Sequence, residues 1–219
     1  MGAATAVVTM RERRPAWRGW IHFGACVAAL PGIVLLLAAA RGPAARAGVA
    51  VYGFGLLAAF GTSATYHRFV RSERARVVLR RMDHSTIFLL IAGTYTPLCL
   101  VALPRSWGIP LLCVVWAVAV VGVLLKQFAF DRFRALQHAL YPALGWAAVV
   151  ALPVLVRSLD GAELSLLVAG GLIYTAGIPV LFRRRPDPWP QTFGYHEVWH
   201  TATVVASGCH LAMVGLLLR

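Results

Sequence analysis

Near the C-terminus the chain reads F-G-Y-H-E-V-W-H-T-A-T-V-V-A-S-G-C-H, from Phe193 to His210. His196 and His200 are four residues apart, so on a helix both imidazoles leave one face with Cβ atoms roughly 6 Å apart. Two imidazoles at that spacing can share one metal ion. Taken literally, H-E-V-W-H also matches the zincin pattern, in which Glu197 would be the general base. Far upstream, Ser63 and His67 repeat the four-residue spacing, and Asp83 stands in M-D-H-S-T. Where these residues lie relative to one another depends on the elements that carry them.

Those elements are written in composition. The 219 residues are 59% apolar and only 13% charged, against about 25% charged in an average soluble domain; mean hydropathy is +0.72. A hydrocarbon core of about 30 Å takes roughly 20 helical residues to cross. Seven apolar runs meet that length, at about residues 17–40, 47–69, 82–103, 107–128, 136–156, 164–182 and 196–218. The predicted fold is therefore all-α: an integral membrane protein, one seven-helix transmembrane domain over residues 17–219, behind a basic N-terminal arm of residues 1–16. The arm is not read as a cleavable signal, because the apolar run after it is too long and more spans follow. Glycine and alanine are abundant, as close helix contacts in lipid require. Pro31-Gly32 predicts a kink in the first span, and Thr94, Tyr95 and Thr96 are expected to satisfy backbone freed by Pro97.

The formal charge of +13 raises the question of nucleic acid, and its location answers it. The cations sit between apolar runs, where they orient a membrane protein and meet anionic lipid; no nucleic-acid partner is expected. Sixteen of the 21 Lys and Arg residues fall in or beside the N-terminal arm (Arg18 included) and the loops after the second (Arg68 included), fourth and sixth spans. Lys126 is counted with the fourth–fifth loop. By the positive-inside rule the N-terminus is cytoplasmic and the C-terminus lies outside. Cys26, Cys99, Cys113 and Cys209 are isolated within apolar segments and are expected neither in disulfides nor as metal ligands.

That topology, derived from arginines alone, brings Ser63, His67, Asp83, His196 and His200 to one membrane face. Ionisable groups inside a membrane are costly and mark candidate sites. His67, His196 and His200 supply three nitrogen ligands for a tetrahedral Zn2+ with a fourth position open to water, a donor set that suits zinc over calcium or magnesium. Zinc lowers the pKa of its water to roughly 7; Asp83 is placed to hold that water and accept its proton, and Ser63 to orient a ligand or donate to a developing oxyanion. Convergence of these residues demotes Glu197. His22 and His138 are read as helix–helix contacts, and His84 as pointing off the face of Asp83. His210 lies about 15 Å deeper than His200 at 1.5 Å per residue, too far to share the ion.

S-A-T-Y-H-R-F, R-M-D-H-S-T-I-F-L-L-I-A-G-T-Y-T-P and F-G-Y-H-E-V-W-H together resemble the hemolysin III family. That family is the bacterial branch of the progestin and adipoQ receptors and is distantly similar to alkaline ceramidases. The resemblance implies seven spans with a cytoplasmic N-terminus in the inner (plasma) membrane. It implies zinc on His67, His196 and His200, Asp83 as the acid beside the zinc-bound water, and Ser63 next to the site. The expected function is a zinc-dependent intramembrane hydrolase of a lipid amide or ester, with membrane lipids as partners and substrate. The alternatives are a non-enzymatic protein with structural zinc that senses lipid or maintains the membrane, a cytolysin or channel as the family name suggests, and a zincin protease based on Glu197.

Overall fold

The computed structural model describes residues 15–219; most of the expected basic arm, including Arg11, Arg13 and Arg14, lies outside the described residues. These form α-helices, with one isolated bridge between Trp189 and Phe193 as their β-type pairing. In chain order they are α1 (Trp20–Ala39), α2 (Gly42–Ala64), α3 (Glu73–Pro97), α4 (Arg105–Phe128), α5 (Arg134–Gly145), α6 (Leu152–Ser158), α7 (Gly161–Arg183) and α8 (Tyr195–Leu216). A π-turn over Thr65–Phe69 extends α2, a second over Leu98–Ala102 extends α3, and a 3-10 stretch over Trp146–Ala151 joins α5 to α6.

Six of the resulting helical segments are long and apolar enough to cross a membrane: Trp20–Ala39, Gly42–Phe69, Glu73–Ala102, Arg105–Phe128, Arg134–Ser158 and Gly161–Arg183. The last helix, α8, has 22 residues but stands outside that set. Its length suffices; His196, Glu197, His200, Thr203, Ser207 and His210 dilute its hydropathy. Large apolar side chains such as Val34, Leu35, Phe54, Val114, Val150 and Phe182 project outward, each more than half exposed. A water-soluble monomer rarely presents such continuous apolar surface, whereas a helix surface facing lipid needs it.

The core lies around α2 and α3, the most enclosed of the spanning helices. They approach through reciprocal glycines: a Cβ on Gly55 would fall 2.7 Å from the Leu89 carbonyl oxygen, and one on Gly93 would fall 3.2 Å from that of Val51. Without side chains there, the two backbones come together and bury Tyr52, Leu56, Phe88 and Ala92. α7 packs on α8 by the same means, with Gly177 under the Trp199 ring and Gly170 under His210. α1 closes the bundle against α2 and α8, and α4 lies on α3.

Several sequence expectations change. α3 begins at Glu73, not near Met82, because Ser72 caps it by accepting from the Ala75 N–H at 3.2 Å. Arg74, Arg76, Arg80 and Arg81 are thus helical, and Asp83 lies ten residues inside a helix. Lys126 is not a loop residue: it occupies the last turn of α4 and is 2% exposed. Pro31 sits inside an α1 helix that continues on both sides of it. Thr94 and Thr96 donate to Leu90 and Ala92, not to the Gly93 carbonyl that Pro97 strips of its donor. Tyr95 instead spans to the break in the fifth segment, donating to the Gly145 carbonyl at 2.9 Å and accepting from the Ala148 N–H at 2.8 Å. The four cysteines are free and lie on separate elements.

Candidate metal centre

Three elements build the centre. The π-turn after α2 presents His67, the first turns of α8 present His196 and His200, and the middle of α3 presents Asp83. One ligating nitrogen from each of the three histidines lies within 4.8 Å of the others. His196 Nε2 is 3.2 Å from His67 Nε2, and the ring centroids are 4.4 Å (His196–His200), 4.7 Å (His67–His196) and 5.1 Å (His67–His200) apart. The three imidazoles converge nitrogen-first, with the facing His67 and His196 nitrogens at hydrogen-bond distance from each other. The donor set matches what zinc accepts from protein nitrogen.

Asp83 Oδ2 stands 3.8 Å from His67 Nε2, and the Ser63 side chain lies within interaction range of the Asp83 carboxyl. The side chains of His67 and Asp83 are 12% and 15% exposed, whereas His200 and Ser63 are buried. The cluster is thus open on the His67–Asp83 side and closed beneath His200. All five residues singled out in the sequence are brought together.

Glu197 faces elsewhere. Its carboxylate, 1% exposed, pairs with the guanidinium of Arg18. It also accepts from the Gly194 N–H at 2.9 Å, satisfying a donor that the start of α8 leaves open. Asp187 takes the next donor, the Tyr195 N–H, at 2.9 Å. The segment before α1 is laid along the loop preceding α8 by Ala16 N–H to Gln191 and Trp17 N–H to Thr192 hydrogen bonds of 3.0 and 3.1 Å, which brings Arg18 to Glu197. In a helix–metal protease the glutamate must face the water; here it fastens the N-terminal segment to α8.

Sequence reasoning missed one neighbour. The His22 ring, on α1, stacks on His200 with centroids 3.8 Å apart and planes 6° apart. Thr203 gives its only hydroxyl proton to the His200 carbonyl, so His22 donates to it from Nε2, at 2.9 Å. The expected helix–helix hydrogen bond is therefore present, but its position under a candidate ligand was not legible. His138 meets α7 through an edge-on contact with Phe182, His84 turns to Phe130, and His210 reaches the Leu167 carbonyl at 3.4 Å.

Fold and site together define a polytopic helical membrane protein with a three-imidazole cluster at one end of its bundle. The profile described as Haemolysin-III related matches residues 10–211, and the chain belongs to that family. It is 34% identical over 151 residues to the hemolysin-3 homolog of Bacillus subtilis (strain 168), covering 69% of this chain and 68% of that one. It is also 34% identical over 170 residues to hemolysin-3 of Bacillus cereus, covering 77% and 74%. A plant protein is similar too: the heptahelical transmembrane protein ADIPOR2 of Oryza sativa subsp. japonica, 33% identical over 185 residues, covering 77% of this chain and 81% of that one. This last match fits the link to the adipoQ receptors.

Proposed function

We propose that the protein is a seven-span enzyme of the inner membrane, N-terminus cytoplasmic and C-terminus outside, that holds Zn2+ on His67, His196 and His200 and hydrolyses an amide or ester bond of a lipid. The observation that carries this reading is the placement of a carboxylate, Asp83, 3.8 Å from one member of a convergent three-imidazole cluster. Counting α8 as the seventh span follows from its 22 residues and its packing between α1 and α7.

Zinc bound there supplies a Lewis acid and an acidified water. The chain's own residues do the rest. Asp83 accepts and returns a proton at its carboxylate oxygen, Ser63 holds that carboxyl in position, and the buried face under His200 excludes bulk water. An ester or amide carbonyl at membrane depth would enter from the partly exposed His67–Asp83 side, while the acyl chain stays in lipid. Glu197 has no part in the chemistry, being committed to Arg18 and Gly194.

Metal analysis of purified protein, followed by a lipid-hydrolysis screen, tests this. The wild type should carry about one zinc per chain, lost in the His67→Ala/His196→Ala/His200→Ala protein. Asp83→Asn should retain zinc and lose turnover, and Glu197→Gln should retain both. Zinc kept by the triple variant would overturn the site. A zinc-loaded wild type inert on every lipid amide and ester, with Asp83→Asn harmless in cells, would make the metal a structural clamp. Lysis or ion flux in defined vesicles independent of Asp83 would favour the cytolytic reading of the hemolysin-3 names.

A further inference from the structure

A second group of charges lies near the metal centre, at the same end of the bundle. The Phe130 ring, in the turn between α4 and α5, is its hub. The Arg80 guanidinium lies 4.6 Å from the ring centroid and the Lys126 ammonium 5.2 Å, with the His84 ring edge-on at 5.2 Å. Lys126 also lies 5.3 Å from the Tyr141 ring. Arg134 and Arg80 are the charges that act on Lys126, and His138 and His84 feel Lys126 in turn. Arg80 and His84 of α3 and Lys126 of α4 therefore meet on one ring, Tyr141 of α5 closes on Lys126, and Arg134 of α5 is near enough for its charge to act on Lys126.

No carboxylate among the described residues lies within 4.0 Å of Arg80, Lys126 or Arg134. Among the described residues, the carboxylates within 4.0 Å of a basic group are Glu197, Asp83 and Glu73, paired with Arg18, His67 and Arg76. Asp131, the acid next in sequence to Phe130, is exposed and makes no such pair. Aromatic faces offset part of the cost of burying an ammonium, but they do not cancel repulsion among Arg80, Lys126 and Arg134. A buried charge is ordinarily paired, and Lys126 is among the most enclosed side chains of the protein.

We infer that the notch between α3, α4 and α5 binds the phosphate of an anionic phospholipid headgroup. Lys126 provides the buried floor, and the exposed Arg80 and Arg134 close on the phosphate oxygens from the rim. Lipid is favoured over free phosphate by the apolar collar: Phe128, Phe133 and Leu136 are 83%, 58% and 51% exposed beside the notch. Acyl chains would lie along that collar while the headgroup reaches inward. Basic pockets between spanning helices bind anionic headgroups on this principle. The inference does not depend on zinc or on hydrolysis.

Lipid binding to the purified full chain in neutral detergent, read by native mass spectrometry, tests it with phosphatidylglycerol, phosphatidylcholine and inorganic phosphate as probes. At about 1 kcal/mol per cation, roughly five-fold each, the wild type should prefer phosphatidylglycerol to phosphatidylcholine by about 100-fold. Arg80→Gln/Arg134→Gln, at two exposed positions that folding tolerates, should lose about 25-fold of that preference, and Lys126→Met about five-fold. Arg157→Gln, exposed at the end of α6, should change nothing. Equal binding of the two lipids, or an unchanged preference in the Arg80/Arg134 variant, would overturn the inference. Displacement of the lipid by inorganic phosphate at equal concentration would overturn the lipid assignment.

Discussion

The pairing of Arg18 with Glu197 makes a sharp experiment, because the two partners are unequally buried. Arg18→Met leaves the Glu197 carboxylate, 1% exposed, with only the Gly194 N–H. Breaking a buried pair from one side costs about 3–5 kcal/mol; the Arg18 side chain is 18% exposed, so the lower end, about 3 kcal/mol, applies. For a chain of this size 1 kcal/mol is worth about 2–4 °C, and the melting temperature should fall by about 6–12 °C. Glu197→Gln removes the buried charge itself and keeps an amide oxygen for Gly194, leaving Arg18 to water; about 1 kcal/mol and about 2–4 °C follow. The double variant should then be more stable than Arg18→Met alone, since the stranded carboxylate is gone. Thermal melts followed by the fluorescence of the seven tryptophans, in lipid nanodiscs, read all four proteins. An Arg18→Met protein that melts within about 2 °C of wild type, or a double variant showing the plain sum of the two losses, would refute the reasoning.

Two further substitutions probe the packing that positions the site. A Cβ at Gly177 would fall 2.6 Å from the Trp199 ring, while one at Gly171 would meet nothing within 4 Å; Gly177→Ala should destabilise by about 1–3 kcal/mol and Gly171→Ala should be neutral or stabilising, as thermal melts in nanodiscs would register. Gln137, fully buried, donates from Nε2 to the carbonyls of Ala129 and Arg132. Gln137→Leu should cost about 1–3 kcal/mol and admit protease at residues 129–133, visible as a new cleavage product in limited proteolysis.

Six spans were legible because apolar length is a sufficient signal in lipid, and the convergence of His67, Asp83, His196 and His200 because cations alone gave their common end. What failed to read was what depends on partners far along the chain. Arg18 registered as a topogenic charge, yet its partner stands 179 residues away. His22 looked like any helix-contact histidine until α1 was laid against α8. The start of α3 was hidden because an arginine-rich stretch is helix-permissive but not apolar, so hydropathy marked where the apolar run begins and Ser72 marked where the helix begins. Lys126 was counted by charge, and its enclosure against the ring faces of Phe130 and Tyr141 shows only in the fold.

His67 is the middle residue of the π-turn Thr65–Phe69, whose ladder is closed by the Val70 N–H reaching the Thr65 carbonyl at 3.0 Å. Such a turn holds one more residue than an α-helix would place in the same arc. The candidate ligand is therefore set by chain length as well as by identity. Removing any one residue between Ser63 and His67 would let an α-helix fill the same arc and change both the angle and the height at which the imidazole leaves the helix, with every chemically active side chain still present. A relative carrying all five residues but one position fewer in this interval would have the ingredients of the site without the site.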